Sequence, residues 1–153
     1  MTPLFKKLNY KDQPCILVLN APESMAEEEK AMLAVCQVKR SISASEKFAF
    51  ALVFATKKAE LDAIIVALAP KLEGDAILWI AYPKGSSKKY KADFNRDNGW
   101  EKVGEHGLEP VRQVAIDSDW SALRFRKVEY IKSMTRRKEM TLSAEGKEKT
   151  TGE

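Results

Sequence analysis

Three short, unbroken apolar runs restrict this chain to a narrow set of architectures. Cys15–Leu19 (CILVL), Phe48–Phe54 (FAFALVF) and residues 76–82 (AILWIAY) contain no charged, amide or hydroxyl-alkyl side chain. A strand with one wet face alternates polar with apolar, so an uninterrupted run of this length predicts a strand buried on both faces. Such strands occur in parallel sheets covered by helices on each side. Turn-forming residues bound the runs: Pro14 and Asn20-Ala21-Pro22 around the first, Pro83 after the third.

The segments between the runs supply the helices. Residues 22–34 carry helix formers, with Glu23, Glu27, Glu28 and Glu29 near the positive end of a helix dipole. Asn20 with Glu23 and Ser24 with Glu27 are candidate capping pairs. Leu61, Ile64, Ile65, Leu68 and Leu72 recur on one helical face, and Gly74 stands where a C-cap is expected. Strand, helix and strand at this spacing predict a right-handed parallel unit. Residues 35–42 form a weaker strand candidate. Residues 84–91 (KGSSKKYK) read as a basic loop, 94–106 as a helix stopped by Gly107, and 110–116 with 121–126 as a hairpin around Asp117-Ser118-Asp119-Trp120. A single domain over residues 1–127, a charged helix over 128–142 and a disordered tail over 143–153 complete the expectation.

Composition excludes several functions. The first of seven glycines is Gly74, although usage of about 7% would place roughly five before it. A glycine-rich phosphate loop near the start is therefore absent. One histidine, His106, and two cysteines, Cys15 and Cys36, leave little material for a histidine-rich metal site or a disulfide framework, and no metal site is expected. No apolar run approaches the ~20 residues of a bilayer span, the start MTPLFKKLNYKDQP lacks the order of a secretory signal, and both thiols lie in apolar stretches. A cytoplasmic protein without membrane contact is the expectation. The net charge is +4, of which +3 falls in residues 126–153. Lys132, Arg136, Arg137 and Lys138 make that segment basic, but without aromatic stacking platforms apart from Tyr130, so nucleic-acid binding ranks third among the functional readings.

The order of elements and the closing hairpin resemble the Rossmann-like fold of S-adenosylmethionine-dependent methyltransferases, with Leu72-Glu73-Gly74-Asp75 in the place of that family's "pGG" turn. More closely, the chain resembles a small bacterial domain-of-unknown-function family, number three-zero-five-two. The pieces that carry this likeness are residues 48–72, Leu78-Trp79-Ile80-Ala81-Tyr82-Pro83-Lys84, His106-Gly107-Leu108, and Asp117-Ser118-Asp119-Trp120-Ser121-Ala122-Leu123-Arg124-Phe125. Together they span roughly residues 15–126. The resemblance implies a three-layer α/β fold, a mostly parallel sheet closed by an antiparallel C-terminal hairpin. It implies no established reaction.

Ligands of open α/β sheets sit beyond the carboxyl ends of the strands, which directs attention to residues 20–24, 56–58 and 82–89. In a methyltransferase the first of these is a glycine-rich turn, followed later by an acid that grips the ribose. Here Ala21 and Pro22 narrow the approach, Pro22 offers no N–H, and the second strand ends near Arg40-Ser41 without an acid. The sequence therefore favours a non-catalytic domain that binds a small anionic ligand or a protein partner, with S-adenosylmethionine-dependent methyl transfer through a divergent turn as the alternative. Candidate ligand-binding residues are Asn20, Glu23, Tyr82, Lys84, Ser86 and Ser87, with Lys84 supplying charge and the serines hydrogen bonds. No residue is assigned as catalytic. Asp117 and Asp119 are read as turn formers rather than an acid–base pair, and His106 as a helix C-terminal residue.

Overall fold

A computed structural model describes residues 2–42 and 46–131. Along the chain run α1 (Pro3–Lys7), β1 (Cys15–Leu19), α2 (Ala26–Met32), β2 (Gln37–Lys39), β3 (Phe48–Phe54), α3 (Lys58–Leu68), β4 (Leu72–Pro83), α4 (Glu101–Glu105), β5 (Leu108–Ala115) and β6 (Trp120–Lys127). The described strands form one six-stranded sheet in the order β2-β1-β3-β4-β6-β5. The first four are mutually parallel, and β6 joins β4 and β5 antiparallel. This is the α/β, mostly parallel sheet with a closing hairpin that the apolar runs predict.

Both faces of the sheet are covered, which explains the unbroken runs. On one face Leu17, Leu19, Ala51, Val53, Leu78 and Ile80 meet Leu61, Ile65 and Leu68 of α3 and Val103 of α4. On the other, Ile16, Val18, Phe50, Leu52, Ile77 and Trp79 meet Phe5 and Leu8 from the start of the chain and Met25 and Met32 from the α2 region. Each fully buried side chain of this size contributes about 1.5–3 kcal/mol of transfer free energy. The indole Nε1 of Trp79, wholly inside, donates to the Leu8 carbonyl at 2.8 Å and so fastens the α1 end onto the sheet.

Several elements depart from the sequence expectation. Leu72 does not end the helix. It pairs with Phe48 while Ile77 pairs with Phe50, so residues 73–76 bulge out of a strand already begun, and Gly74 (φ +56°) serves that bulge rather than a helix cap. Residues 22–34 yield a single 3₁₀ turn, Glu23–Met25, followed by seven residues of α-helix, and neither Asn20 nor Ser24 caps them with its side chain. Only Gln37–Lys39 of residues 35–42 is strand. Helix is confined to Glu101–Glu105 within residues 94–106, because Gly99 adopts φ +100° and the Trp100 Nε1 closes a turn onto the Asn95 carbonyl at 2.8 Å. Of the helix expected over 128–142, Val128–Tyr130 is one 3₁₀ turn, and residues 132–153 lie outside the described residues. No helix among the described residues is long and apolar enough to cross a membrane.

Candidate functional site

The strand order reverses direction at β1. From β1 the chain goes outward to β2, then crosses to the other side of β1 for β3. The connections leaving the carboxyl ends of β1 and β3 therefore diverge, and a crevice is left between them. A cavity of about 220 Å³ occupies that point. Asn20 and Pro22 border it from the β1 turn, and Phe54, Ala55 and Thr56 from the end of β3. Asn20 holds φ +57°, the left-handed conformation usually left to glycine and tolerated by asparagine. The turn thus keeps a glycine-like backbone without a glycine.

The remaining wall is aromatic, with one acid. The Phe54 ring stands edge-on to Trp120 at 5.1 Å, and the Tyr90 ring lies 4.9 Å from the same indole. Glu60, from the first turn of α3, accepts a hydrogen bond from the Thr56 N–H at 3.2 Å. Neither lysine nor arginine lines this cavity. Trp120 is 3% exposed, and its Nε1 meets no acceptor among the described residues, an orphan donor in the wall. At the nearby start of α3, the Lys58 N–H is bonded to the Asp93 carboxylate, so the protein's own acids occupy the place where an external anion would bind a helix terminus.

A second, larger cleft of about 510 Å³ lies beyond Tyr90, which lines both. Its walls come from Pro83, Lys84 and Gly85 at the end of β4 and from the irregular residues 91–95 and 98. The hairpin turn holds this loop in place. The Lys84 N–H donates to the Asp119 carbonyl at 2.8 Å, and the Ser87 hydroxyl donates to the Asp119 carboxylate at 2.8 Å while accepting from the Tyr90 N–H at 3.1 Å. Asp117 in turn accepts from the N–H groups of Asp119 and Trp120 at 2.8 and 2.9 Å. The Asp117 carboxylate acts as the turn former that its sequence context suggests, whereas the Asp119 carboxylate reaches out of the turn to hold Ser87.

The six sequence candidates do not assemble into one site. Asn20 borders the first cavity and Lys84 the second. Glu23 and Ser86 are exposed, and neither lines a described cavity. Tyr82 points to the opposite face of the sheet, packed against Phe94 and Trp100, where burial pushes its phenol pKa up. Ser87 is buried, and its hydroxyl is committed to the loop. His106 caps α4, its N–H on the Val103 carbonyl at 3.2 Å. At the end of β2, Arg40 pairs with Glu29 at 3.0 Å. The described residues contain no cluster of ligands able to hold a metal ion. Phe54, Glu60, Tyr90 and Trp120 line the first cavity without any local sequence signal, because each looks like ordinary core, helix or loop until the topology gathers them.

This sheet order and layering define a Rossmann-like fold of the S-adenosylmethionine-dependent methyltransferase type. The chain is similar to the N-methyltransferase NodS from Bradyrhizobium japonicum WM9, with TM-score 0.54 and 12% identity over 81% of this chain and 92% of that one. It is similar also to a SAM-dependent methyltransferase from Aquifex aeolicus, with TM-score 0.56 and 13% identity over 82% and 88%. NodS solved in complex with S-adenosyl-L-homocysteine matches at TM-score 0.54 and 13% identity, over 81% and 83%. At these identities the likeness is one of fold. No protein-family model matches the sequence, and no curated protein matches it.

Proposed function

We propose that this protein binds an S-adenosylmethionine-type cofactor at the switch-point cavity and acts in methyl transfer through a divergent cofactor turn. The observation that carries this reading is the chemistry of the cavity wall: three aromatic rings, one carboxylate and no cation, at the point where this fold places its ligand. Such a wall attracts a sulfonium through the ring faces and the charge of Glu60, and it rejects an anion. Phe54, Tyr90, Trp120 and Glu60 would hold the cationic end, and the left-handed Asn20 turn lets the backbone approach. At about 220 Å³ the cavity is smaller than the roughly 300–1,000 Å³ of ordinary ligand pockets, so it takes the reacting end of such a molecule. The bound cofactor would supply an activated methyl group. The small-ligand part of the sequence expectation is kept here, and its anionic character is not. Membership of the family numbered three-zero-five-two is proposed on the motifs quoted above.

A second reading, a domain that binds without catalysis, is favoured by two specific features. Pro22 has no N–H to offer a cofactor carboxylate, and the end of β2 carries Arg40 and no acid. A tryptophan-fluorescence titration tests the first reading. A saturable change with S-adenosylmethionine is expected, weakened about tenfold in Glu60→Gln, where the acceptor for the Thr56 N–H is kept and the charge removed. No saturable change up to millimolar concentration overturns cofactor binding. Binding with no methylated product from any acceptor offered decides for the second reading.

A further inference from the structure

The larger cleft is a site of its own. Its volume of about 510 Å³ lies within the range of small-molecule pockets, and its wall combines apolar surface from Pro83, Tyr90 and Ala92 with the cations Lys84 and Lys91. Residues 84–91 hold four lysines and no acid. Of these Lys84 and Lys91 border the cleft, against one acid, Asp93, so its lining carries a net positive charge.

The cations differ in how they are held. Lys91 is oriented by its bond from Nζ to the Ser87 carbonyl at 3.2 Å, on a loop that Asp119 pins to the hairpin. Lys84 is half-buried at the end of β4 and makes no ion pair among the described residues. The acid of the cleft, Asp93, is engaged by the Lys58 N–H at the start of α3, and neither lysine makes an ion pair with it or with another acid among the described residues. Across Tyr90 lies the aromatic, acid-lined cavity.

We infer that the cleft bordered by Lys84, Tyr90 and Lys91 binds an anionic small organic molecule, a carboxylate or phosphate monoester whose flat body rests against Tyr90. Resting on the methyl-transfer reading, this molecule is the methyl acceptor, since Tyr90 borders both the cofactor's cavity and the acceptor's. The binding itself does not depend on that reading.

Calorimetry on the full chain without cofactor tests the inference, with benzoate and phenyl phosphate as anionic probes and benzamide as the uncharged isostere of benzoate. One or both anions are expected to bind at a single site, to weaken as salt is raised, and to lose about tenfold in affinity in Lys84→Gln and in Lys91→Gln, while benzamide gives no measurable binding. The arm that binds more tightly tells carboxylate from phosphate. Equal affinity for benzamide and benzoate, unchanged anion affinity in both lysine variants, or no binding of either anion overturns it. Because the titration contains no S-adenosylmethionine, failure here leaves the cofactor reading standing, and failure of the cofactor titration leaves this one.

Discussion

The two cavities that meet at Tyr90 are opposites in construction and in charge. The switch-point cavity is built from strand ends and core side chains, with Phe54 and Trp120 almost wholly buried and a lone carboxylate in the wall. The neighbouring cleft is built from an irregular loop, with lysines on its border, short-range bonds of its own and a few ties to Asp119 and to the start of α3 to keep its shape. A parallel sheet dictates the first, since reversal of strand order opens a crevice whatever the residues. The second depends on the local sequence of residues 83–98. The fold thus fixes the position of the first cavity, and the loop sets the shape of the second.

Trp120→Ala is expected to have the largest effect. It removes the ring that Phe54 and Tyr90 both pack against, and chemical denaturation is expected to register a loss of about 3–5 kcal/mol. A loss below about 1 kcal/mol would mean that the switch-point wall is not the rigid half of the pair. Gly99→Ala comes next and strikes the other half. A Cβ there would lie 2.4 Å from the Phe94 Cβ, at a backbone φ of +100°. About 1–3 kcal/mol of destabilisation is expected, together with weakened binding of benzoate or phenyl phosphate and unchanged response to S-adenosylmethionine. Equal damage to both ligands would show the cavities to be one unit.

Asn20 separates conformation from chemistry at the β1 turn. Asn20→Ala is expected to lose about 1 kcal/mol, since alanine tolerates the left-handed region poorly, whereas Asn20→Gly is expected to be neutral or slightly stabilising and to retain cofactor binding. Loss of binding in the glycine variant would assign the amide itself a contact. The smallest effect concerns Tyr10, which is remote from both cavities and serves as a control. Burial, with the nearby Cys36 second, pushes its phenol up to about 12 from 10.0. The folded state thus favours the protonated phenol, whose contribution is complete below pH 10 and disappears as pH rises from 10 towards 12. Tyr10→Phe is expected to flatten alkaline unfolding in that window and to leave both ligand titrations unchanged.

The same contrast explains what could be read in the sequence. The buried strands were legible because burial on both faces removes every polar residue from Cys15–Leu19 and Phe48–Phe54, and the hairpin was legible because Asp117 is a turn former that bonds its own backbone. Leu72 was misread because its helical spacing from Leu68 coincides with its place at the start of β4, and only pairing with Phe48 decides between them. The five residues of α1 are too few to display a period, and their anchor, Trp79, lies 71 positions away from the carbonyl it bonds. Site residues divide in the same way. Asn20 could be found by following an apolar strand to its end. Glu60, Tyr90 and Trp120 come together only through long-range packing, and Ser87 looked available because nothing local announces its bond to Asp119.

On the reading proposed above, the aromatic cavity and the basic cleft bind different molecules side by side. Calorimetric titration of the full chain with S-adenosylmethionine, with and without saturating benzoate, tests it most directly. Micromolar binding at one site, undiminished by benzoate, is the predicted result. An absence of heat from a folded sample, or displacement of the cofactor by benzoate, would contradict it.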